Sequence, residues 1–432
     1  MHKSILIKEK VGMNQFLVYV VVLLLLVVII GYFNEKVTKF TYEISLMLFA
    51  IVISMVVLLA NSVIYSVPVV EILNNYHKIN LEAFLMDGVL CFMLFAGSCH
   101  MRLLDFKKHA RIVGLLSIGA TLLGAIFYGL LFYAVVCLFH LPLLLPVCLM
   151  FGSITAPTDP IAATSILKKF NLPKDTGFII EGESLLNDGV GVALFVCFSG
   201  MVTAEESNGF FAVMVRELFG AVLVGAAVSF LCFFVFRSSQ NQTRRIFTSL
   251  LAVSASYLLC EYFGFSGAIA SVVCGVMFSA FRNLEASKGN MLELGQFDGF
   301  WEILDSLLNS LLYVMLGLSF PHILQMPHVF LLSCAAIAIN LIGRSSSVGA
   351  MSLLAGKLPD GYDRFSFTGL LTWGGLRGGL SVALAMSTQP LLDSECYFIV
   401  LGGTYAIVFF TTVVQGMTMA KVYQGIEKKR RS

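Results

Sequence analysis

The chain is 432 residues long, 58% hydrophobic and 12% charged, with a mean hydropathy of +0.88, which is too apolar for a soluble domain whose surface must face water. A formal net charge of +2, with no long charged run beyond the short KKRR at residues 428–431, implies no nucleic-acid partner. The 10 cysteines stand singly without CxxC spacing and the 7 histidines do not cluster, which argues against a disulfide framework and a His/Cys metal centre and leaves an integral membrane protein whose surroundings are lipid.

A bilayer core takes about 20 mostly apolar residues per helix. Scanning with that length predicts an all-α polytopic chain of thirteen spans, at 15–32, 44–64, 82–100, 112–138, 143–167, 178–202, 210–236, 246–263, 265–281, 300–320, 328–354, 365–388 and 396–419. Lys3, Lys8 and Lys10 precede the first run, but GYFNEK follows it without a small-x-small cleavage pattern, so it is read as a span rather than a signal peptide. The two spans flanking Gly264 have almost no connection between them. The segment 283–299 carries Leu284, Met291 and Leu294 at roughly helical spacing and reads equally as an interfacial helix or a solvated loop.

Of the 28 Lys and Arg residues, 21 fall in loops on the side of the C-terminus and 5 on the other side. Cytoplasmic loops attract basic residues, so the C-terminus is expected in the cytoplasm and the N-terminus outside. The three N-terminal lysines point the other way.

Two spans carry the signals of a broken helix. Span five holds GSITAPTDPIA at 152–162, where Pro157 and Pro160 flank Thr158 and Asp159. Each proline removes a backbone donor and clashes with the preceding turn, and non-helical backbone at that depth survives only when buried in protein or facing water. Span twelve holds WGGLRGGLS at 373–381, four glycines around Arg377, which reads as a second break or as a close-packed helix crossing.

One interrupted span in each half matches inverted-repeat transporters. The expected organisation is a single membrane domain over 1–432. It comprises a first repeat at 15–202, a linking span at 210–236, a second repeat at 246–419 and a short basic cytoplasmic tail at 420–432. The halves share no clear residue-level identity.

Span six contains EGESLLNDGVGVALF, which places Glu181, Glu183 and Asp188 in an apolar setting. An unpaired charge in hydrocarbon costs roughly 2.5 to 3.5 kcal/mol even on the lenient insertion scale, so the default reading is functional. Ser184 and Asp188 lie four apart on one helix face, with Asn187 adjacent. A hydroxyl, an amide and a carboxylate are hard oxygen ligands suited to a small cation, and Thr158 and Asp159 from the break can complete the shell. Glu183 faces another side and needs a cation, for which Arg344 (LIGRSSS, span eleven) and Arg377 are alternatives. Asp87 reads as a cavity residue or a helix-start charge, and Glu217, Glu261, Glu302 and Asp305 as interfacial acids near span ends.

TAPTDP, EGESLLNDGVGVALF, LIGRSSSV and GGLRGGLS, in this order and at these distances, resemble the monovalent cation/proton antiporter family that includes NhaP-type bacterial sodium/proton antiporters and animal sodium/hydrogen exchangers. The motifs anchor spans five to twelve and the span pattern covers nearly the whole chain. The resemblance implies a six-span core with two crossing broken helices, moving against a dimerising scaffold, hence a homodimer in a plasma membrane, bacterial inner membrane being the expectation. It implies exchange of Na+, with Li+ or K+ as alternatives, for H+ without a resident cofactor. Asp188 would be the essential carboxylate, Thr158, Asp159, Ser184 and Asn187 would help hold the ion, and Glu183 with Arg344 would form a structural pair. The Asn187-Asp188 combination resembles the electroneutral branch with one proton per cation.

Two other classes compete with this reading. An intramembrane aspartyl protease using Asp159 and Asp188 would carry a GxGD motif, which is absent. A passive cation channel would show ohmic current in place of saturating, counter-ion-coupled flux.

Overall fold

A computed structural model describes residues 2–38, 40–63, 89–99, 103–159, 163, 167, 170–203, 210–287, 295–318, 320–321 and 329–431. Asp87, Pro160 and residues 288–294 of the expected interfacial segment lie outside them. The described residues are almost wholly helical. Among them α1 is His2–Phe33, α2 Tyr42–Val63, α3 Leu90–Cys99, α4 Leu103–Gly114 and α5 Thr121–Leu138. Next come α6 Leu145–Thr155, α7 Lys174–Thr203, α8 Phe210–Ser238, α9 Gln242–Phe263 and α10 Gly267–Ser287. The last are α11 Gly295–Leu318, α12 Val329–Leu354, α13 Arg364–Gly374, α14 Gly379–Met386, α15 Ser394–Phe409 and α16 Gly416–Arg431. Single π-helical segments, Leu115–Ala120 and Phe410–Gln415, join α4 to α5 and α15 to α16.

Ten helices among the described residues are long and apolar enough to cross a membrane. The other three expected segments correspond to shorter pieces: α3, α6, and the pair α13 and α14. The near-absent connection at Gly264 is a tight turn. Gly264 sits at φ +67°, a conformation that only glycine adopts cheaply, and its N–H bonds the carbonyls of Cys260 and Glu261 to close α9. Glu261 then accepts from the N–H of Gly267 at 3.0 Å, capping α10, so this acid has a local structural task.

The helices sort into two bundles by their packing. In the first, α5 and α6 pack together, α6 packs on α7, and α12 packs on α5, α13 and α15. In the second, α8, α9 and α10 pack on one another, α3 packs on α10, and α11 packs on α2, α3 and α1. Helix–helix association in lipid depends on close van der Waals fit rather than on a hydrophobic drive, so small residues decide where backbones meet. A side chain added at Gly129 or Gly152 would run into the facing backbone of α6 or α5. The second bundle is held by aromatic rings instead: Phe95 lies 4.4 Å from Trp301 and 5.6 Å from Phe278, and buried Trp301 donates to Ser249 Oγ at 3.1 Å. Large apolar side chains such as Val28, Leu223, Leu258 and Phe330 are exposed around the outside, as a lipid-facing surface requires.

Residues 420–431 continue α16 as helix, and Tyr423 packs into the buried cluster formed with Met419, Leu371 and Ile180.

Candidate functional site

Helix α6 stops at Thr155, and Ala156 to Asp159 run on without helical structure, as Pro157 dictates. Helix α13 stops at Gly374, and the chain resumes as α14 only at Gly379. The two non-helical stretches cross. Asp159 and Leu376 form an isolated antiparallel bridge in which the Asp159 N–H donates to the Leu376 carbonyl at 2.7 Å. Each break therefore supplies the backbone partner that the other lost.

Arg377 fills the crossing. It is wholly buried, and its guanidinium donates to the carbonyls of Ala156 and Pro157, the second at 2.6 Å, and to Tyr128 Oη at 2.9 Å and Asn340 Oδ1 at 3.0 Å. These carbonyls are the orphaned acceptors at the negative end of α6, where a fixed cation is favourable. The rigid fork of donors suits four acceptors better than a lysine would. Thr411 and Thr412 of the π-helical segment hold the Arg377 backbone: its N–H donates to Thr411 Oγ1 at 3.1 Å, and Thr412 Oγ1 donates to its carbonyl at 3.3 Å. Glu183 is met by the other arginine, with Arg344 Nη2 2.7 Å from Glu183 Oε1 and the two residues 3% and 1% exposed. Arg377 instead spans the break.

Below the crossing lies a cavity of about 130 Å³. Thr158 and Asp159 come to it from the break, Asp188 from α7, and Gly378 and Ser381 from the start of α14. Asp159 Oδ2 accepts from Tyr313 Oη at 2.8 Å. Gly378 is the floor beneath this carboxylate; a Cβ there would lie 2.7 Å from Oδ2.

Ser184 and Asn187 are not among the residues lining the cavity. They hold Thr158 from behind: the hydroxyls of Thr158 and Ser184 are 3.0 Å apart, Asn187 Nδ2 donates to Thr158 Oγ1 at 2.8 Å, and the Thr158 N–H reaches Asn187 Oδ1 at 3.3 Å. The i, i+3 spacing of Ser184 and Asn187 on α7 produces that double grip. The arrangement presents carboxylates and a hydroxyl to a small cavity, a donor set for a small hard cation or a proton.

Asp305, expected at an interface, lines the same cavity together with Asn309, both from α11. Single-residue reading missed them, although Asp305, Asn309 and Tyr313 recur at i, i+4 and i+8, a polar stripe along one face of an apolar helix. Glu302, by contrast, is exposed.

A family model described as the transmembrane sodium/hydrogen exchanger matches residues 66–424. The chain is 30% identical over 414 residues to the Na(+)/H(+) antiporter NhaP of Pseudomonas aeruginosa, covering 93% of this chain and 95% of that one. It is 32% identical over 299 residues to the Na(+)/H(+) antiporter NhaH of Halobacillus aidingensis, covering 66% and 70%. The solved structure of the sodium proton antiporter MjNhaP1 from Methanocaldococcus jannaschii superposes with a TM-score of 0.75 over 96% of this chain and 99% of that one, at 17% identity, a likeness of fold.

Proposed function

Because the chain belongs to the sodium/hydrogen exchanger family, a family of membrane transporters rather than enzymes, we propose that it exchanges Na+ for H+ at the cavity beneath the crossing, with Asp188 as the carboxylate that takes one or the other. The observation that carries this reading is the meeting of Asp159, Asp188 and Thr158 around one small cavity between two broken helices.

The mechanism follows from charge. A carboxylate that is ionised and empty is expensive to move past a low-dielectric barrier. The bundle carrying α6 and α7 crosses readily only when Asp188 holds a proton or an alkali cation, and coupling follows from that restriction. Asp159 and Thr158 supply the remaining oxygens, with Ser184 and Asn187 fixing Thr158 from behind. Arg377 and the Glu183–Arg344 pair keep the two breaks in register through the movement. One Na+ and one H+ neutralise the same single charge, so the cycle is electroneutral and one-for-one. Asn187, neutral beside Asp188, adds no second titrating site.

The proposal extends to the setting: thirteen crossings built as two inverted repeats, 15–202 and 246–419, joined by the span at 210–236, the C-terminus in the cytoplasm of a bacterial inner membrane, and a homodimer formed through the second bundle. Li+ and K+ are the competing cargo ions, and K+/H+ exchange is the alternative reading within the same chemistry.

The test is the reconstituted chain in liposomes with a trapped pH dye. A Na+ pulse is expected to release stored protons, equally with valinomycin clamping the voltage at zero or at a large negative value. Release that tracks the clamped voltage would overturn electroneutrality, and no release with Na+, Li+ or K+ would overturn antiport itself.

A further inference from the structure

The second bundle lines one wall of the cavity: Leu90, Met93, Leu94 and Gly97 of α3 make it apolar, and its polar groups all come from α11. Asp305 and Asn309 of α11 line it, and Tyr313, one turn further on, reaches Asp159. Exposure falls along the stripe: Glu302 is exposed, Asp305 half-buried, Asn309 8% exposed and Tyr313 1%. A polar track thus runs inward from the start of α11, the end that adjoins the expected cytoplasmic loop.

On α14, which packs against α11, Ser381 is 1% exposed and its Oγ has no hydrogen-bond partner, although it lines the cavity. A buried hydroxyl left unsatisfied is costly unless something occupies the space beside it. A carboxylate, an amide and a hydroxyl thus line the same cavity, the donor types a partly dehydrated alkali cation takes.

We propose that Asp305, with Asn309 and Ser381, forms a second contact for the transported alkali cation, used only while the cavity opens toward the start of α11. The inference rests on the antiport reading. It adds a one-sidedness that follows from the packing. Asp159 and Asp188 ride on the bundle of α6 and α7, whereas α11 packs on α1, α2 and α3. Movement of one bundle past the other leaves Asp305 behind. A cleft lined by carboxylates concentrates cations at its mouth, so the two faces of the membrane meet sites of different strength.

The experiment titrates Na+ against everted and right-side-out vesicles from a bacterium lacking its own sodium/proton antiporters and expressing the full chain. Asp305→Asn is expected to raise the apparent KM for Na+ roughly tenfold at the face bearing the basic loops and leave the other face unchanged. Raising ionic strength with choline chloride should narrow that difference, and Asp305→Glu should restore the wild-type value. Asn309→Ala should move KM in the same direction on the same face, and carries the test if Asp305→Asn fails to insert. KM unchanged on both faces, or raised on both alike, would overturn the inference. A wild-type chain that exchanges no Na+ for H+ would fail the antiport reading instead.

Discussion

Tyr313 donates a 2.8 Å hydrogen bond to Oδ2 of Asp159, and the two residues belong to different bundles. If transport proceeds by the proposed sliding of one bundle past the other, this bond has to break, and it would mark one conformation of the cycle. A hydrogen bond to a charged acceptor contributes about 1.5 to 3 kcal/mol. Tyr313→Phe leaves the Asp159 carboxylate less well satisfied and less firmly aimed. The apparent KM for Na+ should then rise roughly tenfold, measured as Na+-dependent proton flux. An unchanged KM would show that the bond does not bear on cation binding.

The pair of Glu183 and Arg344 is the next strongest constraint. Both side chains are buried and 2.7 Å apart. Arg344→Ala strands an uncompensated charge and should lower stability by about 3 to 5 kcal/mol, read as a fall in melting temperature in detergent. Adding Glu183→Gln removes the stranded charge and should recover part of the loss. Melting unchanged by Arg344→Ala would mean that the pair does not hold the fold.

Gly378 is required by space rather than by backbone freedom. Its φ of −111° with ψ of −164° is extended backbone open to any residue, but a Cβ would press on the Asp159 carboxylate. Gly378→Ala should therefore reduce Na+/H+ exchange by about tenfold or more, as misplacing a binding group does, while the protein still elutes normally on size exclusion. Wild-type exchange in this variant would place the cation elsewhere.

Competition at one carboxylate fixes the sign of the pH dependence. As pH falls below the titration of that group, proton occupancy rises, so the apparent KM for Na+ should climb by up to about tenfold per unit. Loss of the caps at the starts of α13 and α15 is not the cause over this range. Asp363, whose carboxylate accepts from Ser366 at the start of α13, and Asp393, which accepts from the Cys396 N–H at the start of α15, are both held below the ordinary carboxylate range by those bonds. Groups with a depressed folded value contribute stability above the unfolded value of about 3.9 and lose it only as pH falls through the folded value. These two caps should accordingly contribute their full stability from about pH 5 to 8 while KM moves, so Asp363→Asn and Asp393→Asn should leave the pH profile of KM unchanged. A KM independent of pH would contradict competition.

Much of this arrangement is legible in the chain because membranes make polar residues conspicuous. Pro157 and the glycines around Arg377 announce backbone that cannot stay helical, and Asp159 and Asp188 stand out in apolar runs. Pairings across helices are not legible from the residues alone; the family resemblance is what implies Glu183 with Arg344. Arg344 and Arg377 look alike along the chain, and only the crossing separates them, one meeting a carboxylate and the other four oxygen acceptors, namely two carbonyls of the first helix break, Tyr128 and Asn340. Ser184 and Asn187 carry ligand-like chemistry but their polar atoms are turned to Thr158. Asp305 was passed over because its position near a span end is ambiguous alone; its meaning lies in the spacing to Asn309 and Tyr313.

Whether one acidic side chain does the coupling is tested most directly by Asp188→Asn, purified and reconstituted beside the wild type in liposomes holding a pH dye. Added Na+ should move protons through the wild type and no faster through the variant than through empty liposomes, with both proteins eluting alike beforehand. Sodium-driven proton movement through Asp188→Asn at a rate near wild type would contradict the mechanism.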